Sequence, residues 1–179
     1  MANDAAMAAE AALLRFLDGL DVAYALHRHA PIFTVEESKA ATGHLPGAHT
    51  KNLFLKEKKG GLVLVTCLED RRVRIRDLEK AIGAKRLSFG SADLLREVLG
   101  VEPGSVTPFA LFNDRAERRV RMVVDAEMTT IDPQNFHPLH NEATIAVSPA
   151  GLDRFFAATG HGAERLDFAP LEASAAETA

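Results

Sequence analysis

Three short segments carry residue types suited to chemistry. His49-Thr50-Lys51-Asn52 stands at the entrance of the apolar run that continues Leu53-Phe54-Leu55. A lysine and an asparagine there would sit at the rim of a sheet, where a cleft can form; a solvated strand start explains the same composition. Gly104-Ser105-Val106-Thr107-Pro108 lies between a helical and a strand-like stretch. Glycine permits close backbone approach, and proline fixes φ and removes a donor. Such a loop can present bare carbonyls and amides to a ligand, or it can be a plain connection. Asn135-Phe136-His137-Pro138 supplies a lone imidazole, a group more often structural or exposed than catalytic.

Seven histidines raise the question of metal. His27 and His29 would share one face of a strand, and His137 and His140 stand three apart. The chain has one cysteine, Cys67, and no H-E-x-x-H helix. Neither pair makes a credible ligand set, so no metal and no cofactor is expected. Cys67 lies in the apolar run LVLVTC and reads as a core residue. There is no G-x-G-x-x-G, no Walker loop and no G-x-S-x-G. Glu36, Glu37, Glu69 and Asp70 read as helix-start and turn charges.

The elements that must position these groups follow from periodicity and punctuation. Residues 5–19 read as an amphipathic helix with Leu13, Leu14, Phe16 and Leu17 on its apolar face. Residues 22–26 read as a strand. Thr34 and Glu37 have capping-box spacing, which starts a helix that ends near Gly43. Strands at 51–58 and 61–68 flank the hairpin connection Lys59-Gly60-Gly61. A helix over 75–83 is followed by a short strand over 85–90. A second helix over 91–100 has Ser91 as its cap and Gly100 as its stop. Residues 108–112 and 118–127 read as strands, 132–142 as a loop or short helix, and 143–148 as a strand. Pro149 opens a helix, 164–168 is a last strand, and 171–179 reads as a disordered tail. Strands and helices interleave without strict βαβ alternation. The fold class is therefore α/β: a mixed, partly antiparallel sheet with helices packed on it, in a single domain over 1–170.

Composition narrows the function. The 179 residues fit one domain, and no apolar run approaches the ~18 residues of a membrane span. The N-terminus carries Asp4 and Glu10 and no basic start, which suits a helix better than a secretory signal. One cysteine excludes a disulfide framework and points to a reducing, cytoplasmic setting. A net charge of −4 argues against general nucleic-acid binding. The clusters Lys56/Lys58/Lys59, Arg71/Arg72/Arg74/Arg76 and Arg115/Arg118/Arg119/Arg121 read first as solvated strand ends and turns. A protein that holds one end of a nucleic acid would need only one of them.

Taken in order, the three segments resemble the editing domain of bacterial prolyl-tRNA synthetases and its free-standing YbaK-like relatives, above all the alanyl-tRNA(Pro) deacylase branch. The matching stretches are PIFTVEE (31–37), KNLFLKEKKGGLVLV (51–65), GAKRLSFGSADLL (83–95), GVEPGSVTPFALFND (100–114) and NFHPLHNEATIAVSP (135–149). They span about residues 20–160. Lys51 matches the family's functional lysine, Gly104 to Pro108 match its GXXXP loop, and His137 falls in its FHP motif. His140-Asn141-Glu142-Ala143 departs from the smaller polar run expected there and leaves His140 and Glu142 without a role.

The resemblance implies a trans-editing hydrolase that acts on mischarged tRNA(Pro), with alanyl-tRNA(Pro) favoured and cysteinyl-tRNA(Pro) or another small residue as the rival. An aminoacyl ester is already activated, so water, an oxyanion site and a selective pocket suffice. Backbone groups of Gly104, Ser105, Val106, Thr107 and Pro108 would contact the amino acid and the water, and the tRNA 2′-hydroxyl would assist. Lys51 would hold the terminal phosphate or ribose, with Asn52 on the same nucleotide. His137 would line the pocket, and Arg86 or Lys85 would touch the acceptor stem. Prolyl-tRNA synthetase is a candidate docking partner; membrane and DNA are not expected. Outside the enzyme class, the rival is a non-catalytic tRNA- or nucleotide-binding module, which a degraded lysine or GXXXP loop would have favoured.

Overall fold

Two apolar runs form the centre of the sheet in a computed structural model that describes residues 2–32 and 35–176. Strands β1 to β8 are Tyr24–Arg28, Ala48–Lys56, Leu62–Leu68, Ser88–Phe89, Val120–Asp125, Gln134–Phe136, Ala143–Val147 and Ala163–Leu166. β2 and β3 pair antiparallel, with Thr50 opposite Leu68 and Lys56 opposite Leu62. β3 then pairs parallel with β5, and β5 with β8. On its other edge β2 pairs parallel with β6, β6 antiparallel with β7, and β7 with β1. The order is β1-β7-β6-β2-β3-β5-β8, and β4 pairs with the far end of β2. This is the mixed, partly antiparallel sheet that the sequence implies.

Helices α1 to α7 are Ala2–Gly19, Val35–Thr42, Ile75–Ala81, Ala92–Leu99, Leu111–Asp114, Pro149–Thr159 and Ala169–Ala176. Period two splits the central strands between two cores. Phe54, Leu64 and Met122 face Leu13 and Leu17 of α1, Leu99 of α4 and Phe155 of α6. Leu55, Val63, Val65 and Val123 face Leu78 of α3 and Leu171 of α7. The helix ends behave as their residues dictate. Ser91 Oγ accepts from Leu94 N–H at 3.2 Å, and Gly100 closes α4 with φ +64°. Ser148 Oγ accepts from Gly151 N–H, with Pro149 in the first turn of α6. Thr34 of the expected capping box lies outside the described residues.

Several boundaries differ from expectation. Residues 108–112 form no strand: 108–110 are a 3-10 turn that runs into α5. Thr107 Oγ accepts from Phe109 N–H at 3.3 Å, and Pro108 presets the first turn. Residues 108–111 are all buried, so the run shows no alternation to separate helix from strand. Residues 132–142 contain a strand, β6, and the short strand expected at 85–90 shrinks to Ser88–Phe89. The tail expected to be disordered from 171 is helical through Ala176, where Leu171 is buried and Glu172 bonds Arg71 at 2.6 Å.

Candidate functional site

The site begins as an interruption in the sheet. One edge of β2 is covered by β6 only at Ala48 and His49, and by β4 only at Leu55 and Lys56. His49 C=O points to the β3 side, where it accepts from Glu69 N–H. Ala48 N–H and Phe54 C=O point the other way, to Pro133 and Gly90. Backbone groups alternate sides along a strand, so those of Thr50 and Asn52 open into the gap between β6 and β4. Around this gap lies a slot of about 340 Å³, counting its open mouth, lined among others by His49, Thr50, Asn52, Asn135, His137 and Thr144.

The side chains give the slot a donor side and an acceptor side. Thr66 Oγ donates to Asn52 Oδ1 at 2.6 Å, which leaves the Asn52 amide N–H groups for the slot. Asn135 Nδ2 donates to Pro46 O at 3.0 Å and Ala48 O at 3.1 Å. Carbonyls only accept, so the Asn135 amide cannot be flipped. Its Oδ1 is buried without a hydrogen-bond partner among the described residues. Thr50 Oγ donates to Asn135 O at 3.0 Å and ties β2 to β6.

His137 is fixed in one tautomer. Its Nδ1 lies 3.0 Å from Ala143 O, which can only accept, so Nδ1 carries the proton. Burial pushes its pKa below the usual imidazole value; the Ala143 carbonyl opposes this, while His29 and His140 add to the lowering. At neutral pH the ring is uncharged and Nε2 is a bare acceptor. The His29 ring lies 6.2 Å away, and its Nε2 stands 2.9 Å from Thr144 Oγ.

His140, which the sequence left without a role, belongs to a support behind the slot. Its Nδ1 accepts from Glu142 N–H at 3.1 Å, so its Nε2 carries the proton toward Glu10 at 2.6 Å. Glu10, 3% exposed on α1, also takes Arg28 of β1 through two bonds of 2.8 and 2.5 Å. The loop after β6 is thus anchored to α1 and β1. Leu139 within it holds φ +72° while buried, a conformation that side chains oppose.

The expected site residues are only partly brought together. Asn52 and His137 line the slot. Lys51 does not; it is on the opposite face of β2, and its ammonium donates to the Arg71 carbonyl. Arg71 itself is held by the buried Asp125 at 2.8 Å and by Glu127 and Glu172. Ser105 lies in a second hollow, shared with Gly100, Leu139 and His140, on the far side of the 137–142 loop. Phe109, which follows the GXXXP segment, meets the ring of the slot residue Phe136 edge-on at 5.7 Å. Arg86 stands at the other end of β2, in a surface hollow with Lys56 and Lys58. Sequence reasoning assigned no role to Asn135, His49 or Thr144. Asn135 and His49 lie within the segments singled out; Thr144 gave no signal beyond being polar in an apolar strand. Among the described residues, no group of three or more His, Cys, Asp or Glu could hold a metal ion, and no helix is long and apolar enough to cross a membrane.

A family model of the aminoacyl-tRNA editing domain matches residues 29–155, which includes every lining residue of the slot. The chain is 42% identical to prolyl-tRNA synthetase associated domain-containing protein 1 of Xenopus laevis, over 83% of this chain and 90% of that one. It is 33% identical to the prolyl-tRNA editing protein ProX of Acetoanaerobium sticklandii, over 87% of this chain and 94% of that one. A solved structure described as a candidate trans-editing enzyme for prolyl tRNA synthetase shares the fold. Its TM-score is 0.65 at 18% identity, over 88% of this chain and 96% of that one.

Proposed function

The chain belongs to the aminoacyl-tRNA editing domain family, and from this premise we propose that it deacylates mischarged tRNA(Pro) in trans, with alanyl-tRNA(Pro) as substrate. The observation that carries the reading is the polarity of the slot. Donors from Asn52 and the open edge of β2 share the slot with the acceptor His137 Nε2, and the unpartnered Asn135 Oδ1 is buried in its lining. No carboxylate, thiol or amine is among the described lining residues. Such a site suits an activated ester attacked by water without a covalent intermediate.

In this reading a small shift of the lining uncovers Asn135 Oδ1, which then accepts from the substrate's α-ammonium. The Asn52 amide and the backbone N–H groups of Thr50 and Asn52 stabilise the oxyanion as it develops. His137 Nε2 accepts a hydrogen bond from the terminal 2′-hydroxyl or from the attacking water, and so sets its position. Lys51 leaves the Arg71 carbonyl and holds a backbone phosphate at the rim as a point charge. Gly104 and its loop act from behind, by fixing Phe109 against Phe136. Selection is by size: alanine enters and proline is excluded sterically, since one methylene is worth only ~1–3 kcal/mol by affinity. A small-residue deacylase of this kind works in the cytoplasm, where mischarged tRNA arises, and could act free or docked on prolyl-tRNA synthetase.

The test is release of the amino acid from alanyl-, cysteinyl- and prolyl-tRNA(Pro) incubated with the protein. Rapid release of alanine with prolyl-tRNA(Pro) left intact is expected. Faster release of cysteine would replace the substrate, and no release from any of the three would overturn the enzymatic reading in favour of a binding module.

A further inference from the structure

Among the described residues only two large apolar side chains are exposed, Met7 on α1 and Phe89 on β4. Phe89 is 61% exposed, yet its backbone is held firmly. It pairs with Leu55, its neighbour Ser88 pairs with Lys56, and Gly90 N–H donates to Phe54 O at 2.9 Å. A lone exposed phenylalanine needs no explanation. This one occupies a particular place on the nucleic-acid side of the slot, an argument that rests on the tRNA reading above.

β4 and β6 border the same edge of β2, and the slot opens in the gap between them. Phe89, paired with Leu55, therefore stands at the far end of that gap, three steps of strand beyond Asn52. Three steps are roughly 10 Å at ~3.4 Å each. A few stacked nucleotides running along this open edge, at ~3.4 Å per base, cover that span. Beyond Phe89 the chain turns basic: Lys56, Lys58 and Arg86 surround a surface hollow beside Ser88. The nearby carboxylates are engaged on backbone amides, Glu57 on Lys85 N–H and Glu79 on Arg86 N–H. In a chain of net charge −4, this end of β2 gathers cations.

We propose that Phe89 is a stacking platform for an unpaired base of the tRNA strand whose 3′ end enters the slot, with Lys56, Lys58 and Arg86 holding the phosphates that follow. Every base has a π face, so the platform would be tolerant of sequence and would serve to fix the register of the strand. Its rigid backbone and exposed ring cost little to preorganise.

The chain contains no tryptophan, so Phe89→Trp places a single fluorescent reporter at the platform. Uncharged tRNA(Pro) is added to this variant and to Met7→Trp as a control. The expected result is saturable quenching at position 89 and none at position 7. The same tRNA trimmed of its unpaired 3′ nucleotides should bind more weakly and leave the emission unchanged. In parallel, Phe89→Ala should lower kcat/KM on alanyl-tRNA(Pro) by roughly tenfold, with no change on a 2′(3′)-O-alanyl adenosine too short to reach the ring. Unchanged emission while a gel shift shows the tRNA bound overturns the proposal, as does equal quenching by trimmed tRNA. Emission that shifts with protein concentration alone also overturns it, because a second copy then covers β4. Quenching without deacylation would sink the enzymatic reading and leave the platform standing, whereas no binding of any tRNA removes both.

Discussion

Replacing Gly104 with alanine tests whether the GXXXP loop acts through its backbone. Gly104 holds φ +89°, and a Cβ built on it would meet no heavy atom within 4 Å. Crowding therefore contributes nothing, and the cost is conformational. A left-handed backbone costs a non-glycine residue ~1–2 kcal/mol. If the loop keeps its shape, that loss should lower Tm by roughly 2–8 °C in a chain of this size. If the loop relaxes instead, the strain is relieved by moving Ser105 through Phe109, and Phe109 carries the motion to Phe136 beside His137. A displacement of ~1 Å at a reacting centre can cost ~100-fold in rate. The assay pairs thermal unfolding with single-turnover deacylation of alanyl-tRNA(Pro). The expected result is a Tm lower by a few degrees, a rate loss between ~10- and ~100-fold, and substantial recovery in Gly104→Asn, since asparagine tolerates the left-handed region. Wild-type stability and rate in Gly104→Ala would refute the argument. Equal damage from alanine and asparagine would show that side-chain volume, not φ, decides.

Three further outcomes follow from the site. His137 must be neutral to accept through Nε2, and its pKa is lowered, so turnover should be flat above about pH 6.5 and fall on acidification; the unfolded chain takes this proton first, so acid also destabilises the fold, and a rate that rises below pH 6 would contradict the assignment. Glu10→Ala strands His140 and Arg28 and should cost about 3 kcal/mol in denaturant unfolding; a loss under 1 kcal/mol would show the anchor to be idle. Lys51→Ala should abolish most turnover while thermal unfolding stays near wild type, because among the described residues its ammonium bonds only the Arg71 carbonyl; a folded variant with normal turnover would remove Lys51 from the mechanism.

Much of the architecture is written locally. Caps at Ser91 and Ser148, the stop at Gly100 and the two apolar runs 53–55 and 62–68 joined by a Gly-Gly turn fix elements whose signals lie within a few residues. Residues 108–112 fail that test because a short apolar run suits strand and buried helix alike, and the Thr107-Pro108 start that decides for the turn reads from sequence as part of the loop; β6 fails because three residues cannot show a period. The site was legible as segments but not as a surface. Placing Lys51 and Asn52 on one nucleotide overlooked period two, which alone puts adjacent strand residues on opposite faces. The slot itself depends on where β4 and β6 leave β2 unpaired, and strand pairing across such distances leaves no mark on the sequence of β2. Asn135 is the same kind of case, since its orphaned oxygen exists only because two distant carbonyls claim its nitrogen.

The bond between Glu10 and His140 joins residues 130 apart. On a ribosome, α1 is made almost first and must wait until the loop after β6 has emerged. Until then the Glu10 carboxylate can take Arg28 alone. The slot is thus completed late in synthesis, and closure over so long a span is slow. A shortened chain that lacked α1 would keep every lining residue, yet it would lose both Leu13 and Leu17 from the core and the brace that holds the His137 loop in place. The first helix, which contributes no side chain to the slot, acts as the latch on its assembly.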